Sequence, residues 1–297
     1  MDAPAPRPGD PDPGLLRRAV LAVSVLDDVD LEPREGGVHL PGRRPVLVRW
    51  TELADVVAGA DVASEAARRR ISVLLRLRRF VGELGSRAPA VLEQSARALA
   101  LPEGHLDDLG PGWVRETVLG GDVRLGVGVV GVLGDDEEVV PLHRSVTVAA
   151  GTDTRQWWRR LRGHAEAMGA LAAHRLARDE GAGRHSVLRP VGGCDVPTLL
   201  ASSALRGYLA AGDGSGMRAL AVPMRSRGWY DLARIDPAFV AAAWSATPEV
   251  ERGYPRPLLV TADEVRMALP RGDPVAQSLA DPVTDGPALR DVRYHTP

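Results

Sequence analysis

The run WVRETVLGGDVRLGVGVVGVL, residues 113–133, decides how the fold is read. It holds a literal G-x-G-x-x-G in Gly126, Gly128 and Gly131, the spacing with which glycines admit a dinucleotide pyrophosphate to the start of a helix. That chemistry needs a strand before the glycines and a helix directly after them. Here Val123, Leu125, Val127 and Val129 alternate with the glycines, and Leu133-Gly134, an acidic turn and Pro141 follow. The glycines therefore sit inside a strand. The run reads as a β-hairpin, Trp113–Leu119 and Val123–Leu133 around Gly120-Gly121-Asp122, with a bare glycine face on which a helix can pack closely.

Working outward in the C-terminal direction, the acidic turn Asp135–Glu138 is followed by an expected short strand around Ser145–Ala149. A long helix is expected over about 154–179, because Trp157, Leu161, Ala165, Met168 and Leu176 recur with helical spacing. His164 shares that stripe. Next come a short strand over Ser186–Pro190 and a helix over about 196–211, with Asp195 as N-cap and Pro197 in the first turn. Arg218–Met224 reads as a strand and Pro237–Ala246 as a helix capped by Asp236. Pro257–Thr261 with Val265–Leu269 reads as a closing hairpin.

Towards the N-terminus the pattern is mainly helical. Helices are expected over about 14–28, over Glu52–Ala58 behind Thr51, over Val62–Leu84 and over about 88–100, with Val46-Leu47-Val48 extended. In the third of these, Ile71, Leu74, Leu77, Val81 and Leu84 share one side while Arg68, Arg69, Arg76 and Arg79 share the other, and Arg70 and Arg78 intrude on the apolar arc. That basic side reads as a solvated face able to pair with Asp135–Glu138. The segment LPEGHLDDLGPGW, ending at Trp113, is rich in Pro, Gly and acids and marks a boundary. The expected class is α+β: a proline-rich tail over 1–13, a mainly helical region over 14–112, a mixed region with antiparallel hairpins over 113–269, and a second proline-rich tail over 270–297.

Composition removes several mechanisms. All 37 basic residues are Arg, and the 297 residues include neither Lys nor Asn. A Schiff-base lysine, a P-loop lysine and a kinase strand lysine are thereby excluded. Cys194 is the single cysteine, so neither an internal disulfide nor a Cys-rich zinc site is available. The formal charge of -2 does not suit a non-specific nucleic-acid binder. The absence of a long apolar run and of a basic-then-apolar start leads us to expect a cytoplasmic protein with no membrane segment. The seven histidines are too widely spaced for a helical metal pair, so no metal and no cofactor are expected.

Two candidate sites remain. His185, Cys194 and Asp195 fall within RHSVLRPVGGCD, where a thiol beside a helix N-terminus has its thiolate favoured. With Asp231 they form the set on which a hydrolase or transferase would depend. Arg225, Arg227, Trp229 and Tyr230, together with Trp158 and Arg159, interleave guanidinium and aromatic groups that can grip phosphates and stack on planar ligands. A third arrangement, a winged helix-turn-helix over 51–84 plus a hairpin, fits poorly because an extra helix intervenes before the hairpin.

The runs Met168–Arg178, Arg227–Phe239 and Pro257–Val265 resemble those of uncharacterised actinobacterial proteins. The resemblance implies a bacterial, high-GC setting and carries no activity, cofactor or catalytic residue with it. The reading reached from the sequence is a non-catalytic α+β protein that binds a protein partner or a small anionic ligand through its C-terminal Arg and aromatic residues. A hydrolase or transferase, and a DNA-binding regulator, stand as the alternatives.

Overall fold

Three helices and a small sheet open the chain. Asp12 caps α1 (Pro13–Leu26), with Pro13 at the first helical position, where its missing N–H leaves no bond unmade. β1 (Glu32–Arg34), β2 (Gly37–Leu40) and β3 (Val46–Arg49) form an antiparallel meander that runs straight into α2 (Trp50–Val57). α2 starts behind Arg49 rather than Thr51, and Glu52 reaches back to the Arg49 N–H at 3.4 Å. In this computed structural model the chain is described over residues 11–102, 104–119, 122–132, 138–182, 187–231 and 234–269. Nearly all of the two proline-rich tails and most of the acidic turn lie outside the described residues.

Ser64 caps α3 (Glu65–Leu84) by accepting from Ala67 N–H at 3.2 Å, and Gly85, at φ 55°, ends it. Its apolar side is buried as expected, but its arginines are not simply solvated. Arg76 donates to the Asp27 carbonyl at 2.6 Å, Arg78 to that of Ser145 at 3.1 Å, Arg79 to that of Asp30, and Arg69 to Asp107 and Glu138, each at 2.6 Å. The long aliphatic stems let these side chains cross packed surface and tie the helix to surrounding loops.

α4 (Ala88–Ser95) is shorter than the helix expected over 88–100. Ala96 turns the chain into β4 (Ala96–Pro102), which pairs along its whole length with β6. The expected hairpin is present as β5 (Arg115–Leu119) and β6 (Val123–Val130). β7 (Val139–Pro141) continues on the same side of β6 as β5, since Val127 donates to Val114 O at 2.7 Å and accepts from Leu142 N–H at 2.9 Å. β4 is thus an edge strand. On the glycine face of β6, Gly126 is covered by Trp113 and Gly128 by Val139: a Cβ on Gly126 would lie 2.3 Å from the indole, whose N–H donates to Val127 O at 3.0 Å.

Residues expected as a strand around Ser145–Ala149 are instead α5 (Arg144–Ala150), started by His143, whose Nδ1 accepts from Ser145 N–H at 3.2 Å. α6 (Arg155–Gly181) buries Trp157, Leu161, Ala165 and Leu176. His164 proves exposed, and its Nε2 lies 2.9 Å from Gly192 O. After β8 (Val187–Leu188), the single helix expected over 196–211 is broken into α7 (Val196–Leu199) and α8 (Ser203–Ala211). Ser202 caps the second piece at the place where α6 comes closest, because a Cβ on Gly169 would lie 2.1 Å from Ser202 Cβ.

β9 (Met217–Met224), β10 (Arg227–Trp229), α9 (Pro237–Ala246), β11 (Leu258–Thr261) and β12 (Val265–Met267) complete the fold. They build an antiparallel sheet in the order β12-β11-β9-β10-β8. The class is α+β. One apolar cluster runs from Leu16 to Val265, and β4 and β6 pair across the 101–112 segment, so core and sheet both continue through it. No helix among the described residues is long and apolar enough to cross a membrane.

Candidate functional site

Where the β4 edge meets the start of α7, the chain forms an open cavity of about 740 Å³, within the range of small-molecule sites. Arg97, Ala98, Cys194, Asp195, Thr198 and Arg225 are among its lining residues. Asp107 and Glu138 also line it, and Glu251 among its lining residues is exposed. Two smaller cavities lie in sequence beyond it, only the first sharing lining residues with it. One of about 300 Å³ shares Glu138 and Val250, and the next, of about 430 Å³, is reached through Glu65 and Leu106 and is lined by His105.

Local chemistry explains how the Cys194 corner is shaped. Val191 and Cys194 exchange both main-chain hydrogen bonds at 3.0 Å around Gly192 and Gly193, whose φ values of 57° and 79° suit a two-residue turn that side chains disfavour. Asp195 follows at once. One of its oxygens accepts from Thr198 N–H at 2.9 Å and starts α7, while the other holds Arg225 Nε and Nη2, both at 2.7 Å. Thr198 Oγ1 in turn accepts from Ala100 N–H at 2.9 Å and fixes α7 against the edge of β4.

Apart from exposed Glu251, the lining carboxylates are already matched. Asp107 and Glu138 share Arg69, and Asp195 has Arg225. Arg97 differs. Its Nη1 donates to the carbonyls of Gln94 and Ala96, each at 2.9 Å, and among the described residues it has no carboxylate partner. Its Nε and Nη2, like Nη1 of Arg225, meet no acceptor among the described residues.

Burial sets the protonation of the neutral groups. The Cys194 thiol, 3% exposed and next to Asp195, is pushed up to about 11 and stays a thiol near neutrality. His105 is pulled down to about 4 by burial, which outweighs the opposing effect of Asp107. Asp107 N–H donates to its Nδ1 at 3.1 Å, which assigns the ring proton to Nε2. Burial, reinforced by Arg144 and Arg78, likewise brings His143 down to about 4.

Cys194, Asp195 and Arg225 are thus brought together. His185 lies outside the described residues. Asp231 closes a turn by accepting from Arg234 and does not line the cavity. Arg227 and Arg159 are exposed. Trp229 is a core residue, edge-on to Phe239 with ring centroids 6.1 Å apart. Tyr230 donates to Glu180 at 2.5 Å under the guanidinium of Arg218, and Trp158 packs half-buried against the main core. Arg97 and His105 were missed by sequence reasoning, since one lay in a presumed helix and the other in a presumed linker. The one signal was a histidine flanked by acids on both sides in LPEGHLDDL.

Among the described residues, no group of three His, Cys, Asp or Glu side chains is placed to hold a metal ion. Comparisons with protein-family models, with curated proteins and with solved structures find no match to this chain.

Proposed function

We propose that this chain binds a small anionic ligand, without transforming it, in the 740 Å³ cavity between β4 and α7. The observation that carries the reading is Arg97: a guanidinium on the wall of a large cavity, bonded only to main-chain carbonyls, beside carboxylates that other arginines already neutralise. Guanidinium groups with unused donors suit the paired oxygens of a carboxylate or phosphate. Arg225 supplies a second set of donors, held in place by Asp195.

Thiol catalysis has less support, because Cys194 is buried and protonated. DNA recognition through residues 51–84 also has less, because the arginines of α3 are engaged inside the molecule. A lone thiol in a chain with no second cysteine fits a cytoplasmic setting.

A thermal-shift panel of small carboxylates, sugar phosphates and nucleotides tests the reading. A ligand of the native state raises the melting temperature by mass action, by about 2.7 kcal/mol of stability at a hundredfold excess over Kd. The expected result is a stabilising anion whose effect is lost in Arg97→Ala. A panel without any stabilising anion contradicts the reading.

A further inference from the structure

We infer that the cavity takes a peptide-like anion, an acylated amino acid or short peptide, whose main chain adds to the edge of β4 at Ala98. This rests on the proposed anion-binding reading for the place and the carboxylate, and on separate main-chain geometry for the peptide unit.

The geometry comes from the register of the sheet. Ala98 lies opposite Val127. Val127 spends its N–H on Val114 and its C=O on Leu142, both on the far side of β6. In an antiparallel ladder, opposed residues either exchange both bonds or neither, so the Ala98–Val127 pair exchanges neither, and the N–H and C=O of Ala98 point away from β6. Two residues on, Ala100 has the same orientation, and its N–H indeed leaves the sheet to reach Thr198 Oγ1 at 2.9 Å. Two residues back, the Ala96 carbonyl is taken by Arg97. Between these two closed positions the donor and acceptor of Ala98 meet no partner among the described residues, on a residue that is 4% exposed and lines the cavity.

Buried main-chain groups are rarely left unmatched, and an unpaired stretch of strand edge that faces a cavity is a template for another extended backbone. A single ligand residue can close the pair, giving its N–H to Ala98 O and taking the Ala98 N–H on its own carbonyl. The next atoms along such a ligand carry the carboxylate, which Arg97 and Arg225, both lining the cavity, are suited to receive. A cavity of this volume admits a few residues and not a folded partner.

The test is calorimetric titration of the full chain with N-acetyl-alanyl-alanine and with the same compound methylated on the first alanine nitrogen, which replaces the N–H donor with a methyl group. The unmethylated compound is expected to bind about threefold to tenfold more tightly, the worth of one hydrogen bond. Ala98→Pro, which removes an outward N–H tolerated on an edge strand, is expected to weaken the unmethylated compound by a similar factor. Should that variant fail to fold, the methylation comparison on the unaltered protein still decides.

Equal affinity for the two compounds, or binding of neither, overturns the inference. Two further ligands separate it from the anion reading. If hexanoate binds as tightly as the dipeptide and both weaken in Arg97→Ala, the anion site stands and the peptide pairing fails. If the uncharged C-terminal amide binds as tightly as the acid and methylation still weakens it, the pairing stands and the anion site fails.

Discussion

Along α3 and on the cavity wall the same side chain is used in two ways. Arg69, Arg76, Arg78 and Arg79 each reach a group distant in sequence, a carbonyl or a buried carboxylate, and so fasten the helix to loops and to α5. Arg97 bonds only to the main chain beside it, and Arg225 keeps donors beyond those given to Asp195. A chain with 37 arginines and no lysine cannot be read for function by counting cations. The two uses differ in reach: the α3 arginines cross to other elements, whereas Arg97 stays beside its own strand on a cavity wall.

Acid should expose the largest cost of the tightly bonded interior. His105 and His143 have folded values near 4 against 6.5 for the free side chain. Their stabilisation is therefore complete above about pH 6.5 and is lost as pH falls towards 4, because the unfolded chain takes up protons that the folded one refuses. The loss at pH 4 is on the order of 3 kcal/mol for each histidine. Urea melts between pH 7 and 4 should show this fall, flattened in His105→Gln; a stability independent of pH over that window would show that these rings are not held neutral.

Removing a fastening arginine comes next. Arg69→Ala leaves Asp107, whose side chain is 7% exposed, without its cation, at a cost of about 3 kcal/mol. Denaturant midpoints measure it, and an unchanged midpoint would place Arg69 with the dispensable surface ions.

A smaller effect probes the scaffold behind β4. Gly126→Ala drives a methyl group into Trp113 and should cost about 2 kcal/mol by overpacking. A lowered denaturant midpoint with retained far-ultraviolet signal is expected, and an unchanged midpoint would show that the indole shifts at little cost.

Arg97→Ala should change stability by less than about 1 kcal/mol, since it removes only hydrogen bonds from a partly exposed cation.

Much of the fold was legible in the sequence, because periodicity and caps agree with the tertiary contacts. The hairpin of β5 and β6, the helices α3 and α6, and the caps at Asp195 and Asp236 follow from local chemistry. Where local preference and packing disagree, packing wins. Ala96–Leu101 is made of good helix formers, yet pairing with β6 draws it into a strand. Ser145–Ala149 is rich in β-branched residues, yet the His143 cap and contact with α3 make it helical.

The same competition hid half of the site. Asp195 announced itself as a cap, whereas its hold on Arg225 joins residues 30 apart. Arg97 could not be recognised as lining a cavity while its strand was read as helix. Trp229, chosen for its arginine neighbours, lies on the inner face of β10 because alternate strand residues point inward.

The most direct measurement is a calorimetric titration of the unaltered protein and Arg97→Ala with the anion that stabilises most in the thermal-shift panel. The expected result is a Kd at least about tenfold weaker in the variant, as loss of a charge-assisted contact implies, with both proteins melting at nearly the same temperature when no ligand is added. Equal affinities in the two proteins would contradict the assignment of Arg97 and its cavity as the binding site.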